Sequence, residues 1–315
     1  MTTAFIFPGQ GSQSVGMGKA LAENFAAARA VFEEVDAALG QKLSVLMWEG
    51  PEADLTLTEN AQPALMAVSM AVVRVLEAEH GITVANTAKF VAGHSLGEYS
   101  ALAAAQTFTL ADAARLLRIR GQAMQSATPV GTGAMAALLG LDFATAAAAA
   151  AEAAQGDVCQ AANDNSDGQV VVSGSKAAVE RCAEIAKAKG AKRAIMLAVS
   201  APFHCALMQP AADVMADALA KVAMKAPVVP VVANVGAAPL SDPAAIRASL
   251  VAQVTGTVRW RECVAYMAAQ GVTRFYEIGA GKVLTGLSKK NAPDATAFAI
   301  NSAEDIAAAA AQIKE

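Results

Sequence analysis

Five residues, Gly93-His94-Ser95-Leu96-Gly97, constrain this chain more than any others. They follow a short apolar run, Phe90–Ala92, and precede a helical stretch from Glu98 to Ala105. A G-x-S-x-G turn in that setting makes a sharp elbow from strand to helix. Its glycines let the backbone reverse, and its serine hydroxyl is lifted above the end of a sheet. Free N–H groups at the start of the following helix can stabilise an oxyanion. The pentapeptide therefore points to an α/β sheet carrying a serine nucleophile, with a purely structural turn as the plainer alternative.

The rest of the chain supplies the sheet. Thr3–Phe7 is an apolar run ended by Pro8-Gly9-Gln10-Gly11, a buried strand entering a tight loop. Helical patterning covers Met17–Leu39 and Gln62–His80, each stopped by a glycine, and then Leu110–Ala127 with Thr109 as N-cap. The rhythm then changes. Ala134–Leu139, Val158–Ala162, Val170–Ser173 and Ala194–Val199 read as strands, with Phe143–Ala154 and Ala177–Lys189 as helices between them. This is a β-α-β-β-α-β order, the split βαβ arrangement. Coarse alternation resumes with helices His204–Met224, Pro243–Val254, Val258–Gln270, Lys282–Lys290 and Ala303–Ile313. The strands among them are Val228–Val235, Arg274–Ile278 and Thr296–Ile300. The expected fold is α/β: a mostly parallel sheet from residues 1–127 and 199–315, with the small unit inserted over 128–198.

Composition removes whole classes of function. Hydrophobic residues make up 55% of the chain and charged ones 17%, which excludes disorder. A net charge of −4 argues against a nucleic-acid partner. The mean hydropathy of +0.38 raises a membrane question. The uncharged windows 121–141 and 194–212 are interrupted by glycine, proline and polar residues, so no spanning helix is expected. Met1–Phe7 has no basic segment of the kind that opens a signal peptide. The four cysteines lie far apart, so neither a disulfide framework nor a zinc site is expected, and the setting reads as cytoplasmic.

A nucleophilic serine needs a base, and only three histidines are available. His80 ends a helix and reads as structural; His94 adjoins Ser95, so its side chain should diverge. His204 remains, in Pro202-Phe203-His204, at the expected start of a helix after a strand. The Pro8–Gln13 loop is no dinucleotide fingerprint, because Ser14 holds the third glycine position. Nor is it a phosphate loop, because Met17 stands where lysine is required. It can offer a backbone N–H beside the elbow, or be a plain turn. Arg115, Arg118 and Arg120 lie on the helix after the elbow. One of them reaching the cleft would clamp a carboxylate, but their spacing does not single one out.

Taken together, Pro8-Gly9-Gln10-Gly11-Ser12-Gln13, Gly93–Glu98, Arg120-Gly121 and Phe203-His204 resemble the malonyl-CoA:acyl carrier protein transacylases, the acyltransferase family of bacterial fatty-acid synthesis. Tyr266–Gly271 and Glu277–Leu284 match the family's C-terminal segments, so the resemblance spans essentially the whole chain. It implies a hydrolase-like α/β core with a ferredoxin-like insertion. It also implies Ser95 as nucleophile, His204 as base and Gln253 as the backbone carbonyl that orients the histidine in place of an acid. Gln10 and Leu96 would give the oxyanion-hole N–H groups, and Arg120 would bind the malonyl carboxylate. Two positions bear on the resemblance, and at the second, Phe203, members vary between serine and phenylalanine. Ala280 stands where the family often has proline, and Phe203 accompanies malonyl over branched units in related domains. The implied partners are malonyl-CoA and acyl carrier protein, acting on a monomer with no metal or organic cofactor. Because that carrier is acidic, the basic cluster Lys187, Lys189, Lys192 and Arg193 is a candidate docking edge, or else a solvated helix end. The alternatives are a trans-acting polyketide-type acyltransferase, a serine thioesterase or hydrolase, and a non-catalytic binding module.

Overall fold

A computed structural model describes residues 2–314. Six strands form the main sheet: β1 (Thr3–Phe7), β2 (Ala88–Gly93), β7 (Val231–Ala233), β8 (Ala238–Leu240), β9 (Arg274–Ile278) and β10 (Thr296–Ile300). Their order is β10-β9-β1-β2-β7-β8, and every pairing is parallel except the β7–β8 hairpin. All five residues of β1 are buried, as expected of a strand covered on both faces. Its period of two divides the core. Phe5 and Phe7 join the large cluster around the helix Thr58–His80, while Ala4 and Ile6 join a second cluster with Trp260, Met267 and Phe275.

β1 and β2 are neighbours, and Phe7 is paired with Gly93, so their loops leave the same sheet edge side by side. The His94 N–H donates to the Phe7 carbonyl at 3.0 Å. A Cβ at Gly9 would lie 2.8 Å from the His94 carbonyl oxygen, so the two loops touch. The carboxyl ends of parallel strands are where such sheets hold ligands, and this pair of loops opens there.

The helix Thr58–His80 is long and apolar enough to cross a membrane, with a mean hydropathy of 1.3, yet 83% of that window is buried inside the fold. Its apolar residues face the sheet and the neighbouring helices on all sides, which is the position of a central core helix.

The second sheet has four antiparallel strands: β3 (Gly133–Leu139), β4 (Cys159–Ser166), β5 (Gln169–Ser175) and β6 (Arg193–Met196), in the order β4-β5-β3-β6. Alternate residues again choose sides. Ala136, Leu138, Val170 and Val172 pack against the helices Phe143–Ala154 and Lys176–Ala188, while Met135 and Val171 join the main core. The alanine run 146–151 lets its helix sit close on this small sheet. β4 is fastened to the main body at Val258. Its N–H donates to the Ala162 carbonyl at 2.8 Å, and its carbonyl accepts from the Asp164 N–H at 2.9 Å. The buried Asp164 carboxylate pairs with Arg261 at 2.8 Å.

Several element boundaries differ from those read in the sequence. The helix expected from His204 begins at Gln209, after a 3-10 turn at Ala206–Met208. Pro210 explains this, because a proline in the first turn costs no hydrogen bond there. The helix expected from Val258 begins at Trp260, because Val258 is engaged with β4. Phe25, with φ −128°, splits the first helical stretch into Lys19–Asn24 and Ala26–Leu39. The strand expected over Val228–Val235 shrinks to Val231–Ala233.

Candidate active site

Ser95 sits at the tip of the elbow with φ 54°, a left-handed conformation that strains any residue with a side chain. The glycines on either side make the turn possible by their lack of a side chain. A Cβ at Gly93 would lie 1.9 Å from the Gly97 carbonyl oxygen, and one at Gly97 would lie 2.3 Å from that of Phe7. Asn234, just beyond β7, braces the turn. Its Oδ1 accepts from the Ser95 N–H at 2.8 Å, and its Nδ2 donates to the Gly93 carbonyl at 2.7 Å.

His204 reaches the same point from the other side of the cleft. It too is left-handed, with φ 59°, and only 4% exposed. Its Nδ1 lies 2.8 Å from the Gln253 carbonyl oxygen, which can only accept, so Nδ1 carries the proton. Nε2 therefore presents a lone pair to the Ser95 hydroxyl, at 2.7 Å. Burial, and next the Arg120 charge, pull the imidazole down to about 3, while the Gln253 carbonyl draws it partly back. A neutral imidazole hydrogen-bonded to a serine hydroxyl is poised to accept a proton.

Of the three arginines on the helix Leu110–Ser126, only Arg120 faces Ser95. It is 1% exposed, with Nη2 donating to Ser95 Oγ at 3.0 Å and to Gln253 Oε1 at 2.9 Å, and Nη1 donating to Gln62 Oε1 at 2.8 Å. Gly121 allows this approach, since a Cβ there would lie 2.5 Å from the Glu59 Cα on the neighbouring helix. Arg115 and Arg118 turn to other partners, Asp112 for the first and Asn60, Gln41 and Glu59 for the second.

Around these groups lies a cleft of about 320 Å³. Gln10, Gln62 and Arg120 give it polar walls, and Met124, Met135, Leu197, Val199 and Phe203 give it apolar ones. Residues of both sheets' neighbourhoods therefore line it. The backbone N–H groups of Gln10 and Leu96 have no acceptor among the described residues, although the Gln10 side chain is tied to Thr58 at 3.1 Å. His94 turns away from Ser95. Its Nε2 lies 2.9 Å from Asn165 Oδ1 and its ring packs on Trp260. His80 lies in the last turn of the core helix, remote from the elbow in the fold.

Sequence reasoning passed over Gln62, Glu98 and Asn234. Gln62 and Asn234 are polar residues in otherwise apolar surroundings, Ala61–Met66 and Val231–Asn234, and that mismatch was the available signal. Lys187, Lys189, Lys192 and Arg193 are all exposed, at one end of the small sheet. Lys187 and Lys189 are already paired, with Glu184 at 2.7 Å and Glu152 at 3.0 Å, and Lys192 and Arg193 make no ion pair among the described residues.

A family model described as an acyl transferase domain matches residues 4–308. The chain belongs to that family. The acyl transferase assignment is supported by relatives of full length. The chain is 51% identical over 306 residues to a protein of Escherichia coli (strain K12) named malonyl CoA-acyl carrier protein transacylase, covering 97% of this chain and 98% of the relative. A crystal structure of the acyl-carrier-protein S-malonyltransferase from Bartonella henselae is 58% identical and superposes with a TM-score of 0.97, over all of both chains. Another solved structure, a malonyl-transacylase in complex with a type II polyketide synthase acyl carrier protein, is 44% identical with a TM-score of 0.95. That match covers 99% of this chain and all of the other.

Proposed function

We propose that this acyltransferase moves a malonyl group from malonyl-CoA to the phosphopantetheine thiol of an acyl carrier protein, supplying fatty-acid synthesis. The observation that carries the reading is the position of Ser95 Oγ, between His204 Nε2 at 2.7 Å and Arg120 Nη2 at 3.0 Å. A base and a fixed cation meet at one hydroxyl, which suits a nucleophile acting on an acyl group that bears a carboxylate.

In the first half, the malonyl carboxylate draws the Arg120 guanidinium toward itself. His204 Nε2 takes the Ser95 proton, and Oγ attacks the thioester carbonyl. The N–H groups of Gln10 and Leu96 hold the oxyanion. The C–S bond then breaks, and CoA leaves with the proton returned through His204. In the second half, His204 takes the proton of the carrier thiol, whose sulfur attacks the malonyl-serine ester, and Oγ leaves to recover the proton. Gln253 supports the imidazolium through its carbonyl, doing without an acid. No step calls on a metal or organic cofactor.

The unit over 128–198 is proposed as a separate lobe that walls the cleft, with Phe203 narrowing it against branched acyl groups. The lobe's edge at Lys192 and Arg193, with Lys187 and Lys189 behind it, is proposed as part of the carrier's landing surface. We further propose a cytoplasmic monomer. The test is to mix the protein with malonyl-CoA and weigh it intact. A malonyl adduct on Ser95 is expected, stable without carrier and discharged by carrier bearing a free pantetheine thiol. Rapid release of free malonate instead would make the protein a thioesterase.

A further inference from the structure

Glu98 opens the helix Gly97–Ala104, is 1% exposed, and takes no part in the steps above. Its Oε2 accepts from the Asn234 backbone N–H and from Gln253 Nε2, each at 2.9 Å, while Oε1 has no hydrogen-bond partner among the described residues. The other end of the same Gln253 carboxamide accepts from Arg120. A carboxamide has one accepting and one donating end. With a cation at its oxygen and a carboxylate at its nitrogen, Gln253 is held in one orientation. Arg120 makes no direct ion pair among the described residues, and the Glu98 charge is among those that act on it.

We propose that Glu98 is the resident counter-charge of Arg120, coupled to it through the Gln253 carboxamide, and that it tempers the site's preference for acyl groups bearing a carboxylate. This rests on the malonyl-transfer reading. A buried guanidinium without compensation would hold any anion tightly. With Glu98 beside it, an incoming carboxylate competes with an internal one and is more readily given up to the second substrate. Glu98 also offsets a charge that holds His204 down, so it favours formation of the imidazolium during attack. Glu98 is a positioning residue, since it acts through Gln253 and Arg120 and lies beyond reach of the reacting atoms. Burial pushes its carboxyl up to about 7, and the Asn234, Gln253 and Arg120 contacts oppose that rise.

Glu98→Gln keeps the shape and one accepting oxygen while removing the charge. Single-turnover acylation of Ser95 by malonyl-CoA and by acetyl-CoA, followed by intact mass at pH 8, separates the outcomes. The half-saturating malonyl-CoA concentration is expected to fall by about fivefold or more with that for acetyl-CoA little changed. The maximal rate should fall for both. An unchanged malonyl preference, or half-saturating concentrations that shift in parallel for the two substrates, overturns the proposal. If Glu98→Gln does not fold, the double variant Glu98→Gln/Arg120→Gln should regain folding because neither charge is left alone. A double variant no more stable than the single one overturns it. If the parent protein is not acylated by malonyl-CoA, the transfer reading fails. The charge coupling is then decided by the same variants in a thermal-unfolding cycle, where additive losses refute it.

Discussion

Arg120 shows how much a single side chain depends on its neighbours. Arg115, Arg118 and Arg120 share one helix, and nothing in their spacing separates them; Gly121 does, by letting that turn press against Glu59 and carry Arg120 inward. Arg120→Ala should slow malonyl acylation of Ser95 about a hundredfold, the equivalent of about 3 kcal/mol for a lost charge-assisted pair. Acetyl transfer should change little, and equal losses in a stopped-flow comparison would discard the carboxylate-clamp role. Ser95 was legible from its G-x-S-x-G turn, and His204 because the chain has only three histidines. Glu98 was not, because its part in the site depends on Gln253, a residue 155 positions away. Its burial has a consequence for stability. Its carboxyl is raised from 4.5 to about 7, so the folded state favours the protonated form. That contribution is fully present below pH 4.5 and is lost as pH rises through about 7, at most about 3 kcal/mol. Urea unfolding of the parent minus that of Glu98→Gln should show this decline across the same window. A difference independent of pH would mean that Glu98 is not buried as described.

At the scale of elements, the elbow is a contact between β1, β2 and the helix Gly97–Ala104, and glycine is its fastening. The Gly97 position faces the Phe7 and Pro8 carbonyl oxygens, at 2.3 and 2.8 Å from where a Cβ would sit, and backbone cannot step aside as a flexible side chain would. Gly97→Ala should therefore cost about 1–3 kcal/mol or more, and slow Ser95 acylation by displacing the oxyanion donors. Thermal unfolding with burst-phase acylation checks both, and a variant with parental values in each would show that the elbow tolerates a Cβ. Most elements were legible from their patterning: β1 and β5 as short apolar runs and the stretch Met17–Leu39 as helical. Some boundaries shifted for a local reason, as where Pro210 starts its helix at Gln209, and others for tertiary ones. Val258 left its helix to pair with β4, and His204 took a left-handed turn that no local pattern announces.

For the whole molecule, the proposed transfer asks one cleft, walled by Met135 on β3 and Leu197 just after β6 as well as by Ser95 and His204, to admit a CoA thioester and then a carrier thiol. CoA needs only the cleft and its rim. A carrier protein also needs a surface outside it, and at the exposed end of the small sheet Lys192 and Arg193 make no ion pair among the described residues, in a chain of net charge −4. Lys187 and Lys189 spend their charge on Glu184 and Glu152, so Lys192 and Arg193 should carry most of the attraction. Reversing both, Lys192→Glu with Arg193→Glu, should slow discharge of malonyl-Ser95 to carrier by about tenfold at low salt, relative to its formation from malonyl-CoA. The deficit should shrink as ionic strength rises, because exposed charges are screened over about 10 Å at 0.1 M. Carrier discharge that keeps both its rate and its salt dependence in the variant would place the landing surface on another face of the cleft's rim.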